Sequence, residues 1–264
     1  LILRSPEEFS TLSADRNSNN NPDWRDLLIE TVGEPLQGEV NKQAVTEADK
    51  ARLADPNNLT VSFSKNIYTA SAYAKKNGAL SKDQQESLVA SMLEAEAKKI
   101  TVTKYETFNL TIAKEDTLAS KKAYGNALGK LFKKAEEYKV GVNDLSIIQA
   151  FSTNKDPVPL ASFVIKKNNI NIILEELLTM PVPYSASSYH LFLINRLSEY
   201  KTLLENLSKA DTDPVRATIS FNNYISVVTA LTSSFTLIQN YFALENITFT
   251  NNERGYVITS RYTK

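Results

Sequence analysis

The sequence predicts an all-α protein: an irregular multi-helix bundle with a long buried C-terminal helix and a small C-terminal β-hairpin. Three observations carry that prediction. Apolar residues recur at helical spacing, most regularly at Tyr189, Phe192, Leu193, Leu197, Tyr200, Leu204 and Leu207. Start signals precede the periodic runs, as where Ser81 is followed three residues later by Gln84, or Asp213 directly by Pro214. Strand-like patterning is confined to residues 100–112 and to the end of the chain.

Residues 1–56 are expected to form an N-terminal tether and docking arm, ahead of a helical domain over 57–264. Ser13–Pro22 is rich in Asn and Ser, and Pro22–Asp23 opens a short helix through Trp24, Leu27, Leu28 and Val32, stopped by Gly33 and Pro35. The single tryptophan is placed to dock this arm. A second short helix is expected over Asn41–Leu53, closed by Asp55–Pro56.

From Asn57 the pattern sharpens. Asn58 can cap a helix carrying Val61, Phe63, Ile67, Ala70, Tyr73 and Ala74, with Asn77–Gly78 as its stop. The Ser81/Gln84 box opens a helix through Leu88, Met92 and Leu93. Ile100, Val102, Phe108, Leu110 and Ile112 then suggest an extended segment. A helix follows from about Thr117 to Val140, stopped at Gly141. It contains Gly125 and Gly129, each about 1 kcal/mol less favourable than alanine inside a helix, which predicts close approach of another backbone. The lysines around them argue for tight packing in water rather than a membrane dimer face.

Further helices are expected at Asp144–Phe151, Pro159–Thr179 and Ser185–Lys209, and one starting at Asp213–Pro214. The stretch from Ala217 to Leu244 carries no charged residue. It is long enough to span a bilayer, yet Asn222, Asn223, Gln239, Asn240 and many hydroxyls interrupt it. The expectation is a helix buried on all sides in a bundle. Ile247–Thr250 and Tyr256–Thr259 would pair across Asn251–Gly255 as the hairpin.

Composition removes most reactive chemistry. Among 264 residues there is no cysteine, one histidine and seven glycines, and 30 basic side chains balance 30 acidic ones. The balance hides an asymmetry: residues 1–61 hold six basic and eleven acidic side chains, whereas 62–140 hold fourteen and nine. An acidic N-terminal segment lying across a basic middle is one expectation; unrelated solvated faces are the other. His190, the only imidazole, sits early in an apolar helix and reads as a buried or interface histidine with a hydrogen-bond partner. One histidine cannot build an ordinary zinc site, and Asp211/Asp213 lack the spacing of a calcium loop. Phosphate-binding glycine motifs are absent from the sequence. The pairs Glu175–Glu176, Glu136–Glu137 and Glu94/Glu96 diverge around their helices and read as solvated surface. Lysines between Lys121 and Lys139 interleave with Tyr124, Phe132 and Tyr138 in imitation of a nucleic-acid face, but Glu136 and Glu137 interrupt them. No catalytic, cofactor-binding or metal-binding residue is assigned, and no nucleic-acid partner is expected.

Several stretches resemble a group of uncharacterised, extracytoplasmic helical proteins of the candidate-phyla-radiation (Patescibacteria) bacteria. They are residues 58–93, AYGNALG at 123–129, PVPYSASSYHLFLINRLSEY at 181–200, DTDPVRA at 211–217 and ENITFTNNERGYV at 245–257. The resemblance implies an exported protein with a signal or membrane anchor upstream of Leu1, near pilus or secretion machinery, and it carries over no catalytic residue. The functional expectation is a non-enzymatic, envelope-exposed protein that contacts another protein. An intracellular helical scaffold or adaptor is the alternative, and a carboxylate-dependent hydrolase the third reading.

Overall fold

A computed structural model describes residues 46–77, 81–140, 143–154 and 156–260. The expected helix around Trp24 and most of the tether lie outside these residues, as do the stops at Gly78 and Gly141. The described residues form ten α-helices, three short 3₁₀ turns and no strand. The all-α architecture is therefore observed.

The described residues fall into two compact units, one drawn from those up to 101 with 209–220, the other from those in 102–208 and from 221 to 260. The first contains α1 (Glu47–Ala54), α2 (Leu59–Asn77), α3 (Lys82–Ala97) and most of α8 (Pro214–Asn222). Leu59 and Phe63 of α2 bury against Val215 and Ile219 of α8, with Ile67, Val89, Met92, Leu93 and Ala97 packed around them. Both expected N-caps form. Asn58 Oδ1 accepts from the Val61 amide at 3.1 Å, and Ser81 and Gln84 make a complete capping box.

Asp213 joins α2 to α8. Its carboxylate accepts from the amides of Leu59 and Thr60 at 3.0 and 2.9 Å, at the start of α2. It also accepts from the Arg216 amide and guanidinium at 3.3 and 2.9 Å, in the first turn of α8. Thr60 Oγ1 returns the contact, donating to Asp213 and accepting from the Val215 amide at 3.0 Å. One carboxylate thus satisfies donors at two helix N-termini, where unpaired N–H groups and the helix dipole favour negative charge.

The second unit is built on α7 (Ser187–Leu207), which packs against α6 (Ala161–Thr179) and α9 (Tyr224–Leu244). Its core holds Phe163, Ile170, Leu174, Leu193, Ile194, Leu204 and Phe242, all essentially without solvent contact. Alongside lie α4 (Leu118–Glu137), α5 (Asp144–Asn154) and the four-residue α10 (Tyr256–Thr259). The extended segment after Ile100 exists, held by one isolated bridge between Ile112 and Val182 rather than by a sheet.

Three expectations need correction. The 217–244 stretch is two helices, because a turn at Asn223 separates α8 from α9. Nor is α9 buried all round: Ile225, Ser226, Thr229, Ser233, Leu237, Asn240 and Leu244 face solvent. Hydroxyl and amide side chains hydrate that face without charge, so the missing charges did not signify burial. The C-terminal hairpin is absent. Ile247 and Phe249 are both buried, Glu253 takes the Thr250 amide at 2.8 Å, and residues 256–259 turn into a helix. Their alternation reflects anchoring to the protein surface, not a ladder. Finally, α4 stops at Glu137, and the positive φ of 52° falls at Lys139.

The expected close approach of another backbone is found at Gly129, where the partner is the C-terminal segment rather than a helix; at Gly125 the neighbours are aromatic side chains instead. A Cβ at Gly129 would lie 2.0 Å from the Arg254 carbonyl oxygen, and one at Gly125 would lie 2.2 Å from the Phe249 ring. Asn126 Oδ1 fixes the same segment by accepting from the Gly255 amide at 2.8 Å.

Candidate functional site

The reactive groups of the second unit are mostly engaged internally. His190 is fully buried. Its Nε2 lies 3.0 Å from the Leu177 carbonyl oxygen, which can only accept, so Nε2 carries the proton. Nδ1 then accepts from the Tyr124 hydroxyl at 3.0 Å. Burial pushes the His190 pKa down to about 4, against a smaller upward pull from the Leu177 carbonyl. The imidazole is neutral at ordinary pH, and its two nitrogens are taken by the Leu177 carbonyl and the Tyr124 hydroxyl, with no carboxylate bonded to it among the described residues. Burial also holds the Tyr124 hydroxyl well above the usual phenol range.

A second buried cluster was not foreseen from the sequence, where Asp144 read only as a helix start. Asp144 bonds the Lys166 ammonium through Oδ1, while Oδ2 accepts from Tyr200 at 2.5 Å and Tyr224 at 3.3 Å. All four residues are buried. The arrangement supplies the counter-charge and hydrogen bonds that a carboxylate needs inside a core. Burial raises the Tyr224 pKa, and the Asp144 charge raises it further.

A third cluster reaches the surface. Ser185 Oγ donates to Asp116 at 2.9 Å and lies 2.9 Å from the Tyr241 hydroxyl. Lys121 binds Glu245 at 2.6 Å and lies 3.7 Å from Asp116. The bond to Glu245 raises the Lys121 pKa, so this ammonium stays charged and cannot activate Ser185 as a base.

The acid pairs named from the sequence are divided among separate contacts. Glu94 pairs with Lys98, Glu96 is buried rather than on the solvated surface expected of it and accepts from Ser62 and Lys99, Glu175 accepts from Asn171, and Glu176 pairs with Lys134. Among the described residues no group of three or more His, Asp or Glu is placed to hold a metal ion. No helix among them is long and apolar enough to cross a membrane.

A concave site lies elsewhere, in a groove of about 560 Å³ between α4 and residues 251–257. Gly129 is what allows the C-terminal segment to lie so close to α4. Lys130, Lys133, Lys134 and Glu137 line the other wall at helical spacings of three and four, on one face of α4. Arg254 and Tyr256 enter from the C-terminal segment, and Tyr138 lines the groove from the C-terminal end of α4. Lys134 is held by Glu176, which raises its pKa, and sits 5.7 Å from the Tyr138 ring centroid. Lys130, Lys133 and Arg254 are exposed and make no ion pair with any described residue. Of the two acids on the groove, Glu253 is occupied by the Thr250 amide and hydroxyl and by Lys122. Its pKa is lowered chiefly by the Thr250 amide, which is the wrong direction for a general acid. Glu137 remains at the Tyr138 end.

The sequence had singled out Lys130 and Lys133 only as part of a basic run, and it missed Arg254 and Tyr256. The signal for them was the Gly125/Gly129 pair, which marked where another backbone had to arrive without saying which. No family model, curated protein or solved structure matches the chain.

Proposed function

We propose that this is a non-enzymatic binding protein that takes an acidic segment of a protein partner into the groove between α4 and the C-terminal segment. One observation carries the reading: Lys130, Lys133 and Arg254 converge on a concave surface and, among the described residues, make no ion pair with its two carboxylates, Glu137 and Glu253. Cations in a concavity focus the field more strongly than the same charges scattered over a convex face. Tyr138 and Tyr256 add amphipathic ring surface, and tyrosine and arginine are the residue types that dominate protein interfaces. The internal engagement of His190, Asp144 and Lys121 supports a binding role over catalysis. An envelope location completes the proposal; it rests on the resemblance to extracytoplasmic helical proteins and is checked by fractionating cells that express the full-length gene.

The binding reading is tested with a fluorescent ten-residue Glu/Asp peptide titrated into the whole chain at several salt concentrations. Binding should weaken as salt rises. The variant carrying Lys130→Gln, Lys133→Gln and Arg254→Gln should lose at least about tenfold in affinity. Absence of binding at low salt, or equal binding by the triple variant, overturns the reading.

A further inference from the structure

The groove is not uniformly basic, and its polarity carries information about the partner. The Arg254 backbone lies against Gly129, so the cations that pair with no described residue gather at the level of Gly129, Lys130 and Lys133. Farther along the same helix, Glu137 and Tyr138 replace cation with carboxylate and ring. Lys130 and Tyr138 are eight positions apart, about 12 Å at a rise of 1.5 Å per residue. An all-acidic ligand lying along the groove would therefore gain at one end and meet Glu137 at the other. Lys134 does not remove that conflict, because its ammonium is bound to Glu176.

Resting on the binding reading above, we infer that the groove recognises a two-part segment of a protein partner. Acidic side chains face Lys130, Lys133 and Arg254, and an aromatic or large apolar side chain reaches Tyr138. In an extended peptide, at about 3.3 Å per residue, the 12 Å separation corresponds to about four residues. The cations supply attraction and steering. The ring contact supplies register, because a side chain without charge is the one Glu137 tolerates. Such a segment satisfies both ends of the groove, whereas a polyacidic run or a nucleic-acid backbone, with charge at every step, satisfies one.

The test uses the whole chain and three synthetic peptides of equal charge. Each has an acidic triplet; one has phenylalanine four residues beyond it, one has phenylalanine adjacent to it, and one has alanine throughout the rest. The first should bind about tenfold more tightly than the other two. In Tyr138→Ala the three should bind alike, and in Glu137→Gln the ten-residue Glu/Asp peptide, whose charge runs up to that carboxylate, should gain. Circular dichroism confirms that each variant keeps its helix content. Equal binding of all three peptides to the unaltered chain overturns the two-part inference and leaves the acidic-segment reading standing. Failure of every peptide sinks both. Tighter binding of a ten-residue thymidine oligonucleotide than of the first peptide also overturns it, in favour of a nucleic-acid ligand.

Discussion

The two units solve the problem of placing a polar group among helices in opposite ways. In the first, Asp213 lies at the meeting point of two helix N-termini and is ionised because five donors surround it. In the second, His190 is kept neutral in a sealed core, and Asp144 is kept with its ammonium and phenol partners. The first device works by stabilising charge, the second by excluding water. The units should therefore fail under different perturbations and at different pH.

The largest effect is expected in the second unit. Asp144→Ala removes a carboxylate that faces a buried ammonium and two buried hydroxyls, and should destabilise by about 3 kcal/mol or more. Replacing both charges together, as Asp144→Leu with Lys166→Met, should recover much of the loss, as it does when neither charge is left behind in a core. Urea midpoints read both. If the double variant proves no more stable than Asp144→Ala, the interior is not governed by charge burial.

Next in size is the response to mild acid. The His190 pKa falls from an ordinary 6.5 to about 4 in the folded protein. Between those values the unfolded chain binds a proton that the folded chain refuses, so stability falls as pH is lowered through this window. The slope is up to about 1.4 kcal/mol per pH unit, and the integrated loss is about 3 kcal/mol. Above pH 6.5 the penalty is absent, and below 4 it is complete and constant. His190→Gln should flatten the pH 4–6.5 region of the stability profile, and an imidazole resonance that titrates near 6.5 in the folded protein would contradict the burial argument.

A smaller effect tests the wall of the groove. Alanine for glycine inside a helix normally stabilises by about 1 kcal/mol. At Gly129 the new Cβ would meet the Arg254 carbonyl 2.0 Å away, so the sign should reverse, with a net loss of about 1–2 kcal/mol. Gly125→Ala meets the end of the Phe249 ring, which can move, and should lose less. Hydrogen exchange at the Gly255 amide, bonded to Asn126, should accelerate in Gly129→Ala first.

Much of the helical frame was legible because its signals are local. Asn58, Ser81 and Asp213 cap the helices they were expected to cap, through contacts three residues long. Misreadings came where local pattern and tertiary partner diverge. Ile247 and Phe249 alternate like a strand, yet both are buried without a ladder, Phe249 against Gly125 of α4 far away in sequence. The uncharged 217–244 stretch looked buried because charge stood in for polarity, while Ser226, Thr229 and Ser233 hydrate well without it. The Asp144 cluster joins residues 22, 56 and 80 positions apart, and the groove needs α4 and residues 251–257 together. Neither distance has a sequence signature, although Gly125 and Gly129 registered that something must fit against α4.

The last effect, no larger than that at Gly129, returns to the first unit. Burial alone would raise the Asp213 pKa, but hydrogen bonds from the Leu59 amide, Thr60 and Arg216 outweigh it and leave the pKa lowered. Its contribution is therefore fully present above the ordinary aspartate value of 3.8 and disappears as pH drops through the lower folded value. That window lies below the one in which His190 acts, so local opening of the first unit should begin in stronger acid than the loss of stability in the second. Amide exchange at Leu59 and Thr60 follows the first, and the near-ultraviolet signal of the buried tyrosines Tyr124 and Tyr200 follows the second. Asp213→Ala should weaken the α2–α8 junction by about 1–2 kcal/mol, the scale of losing a cap at two helix ends, and should remove the acid-dependent acceleration at Leu59. Asp213→Asn keeps an acceptor without the charge and should fall between. If both transitions moved together with pH in every variant, the units would be sharing one cooperative response, and the contrast between a charged junction and a sealed core would lose its consequence.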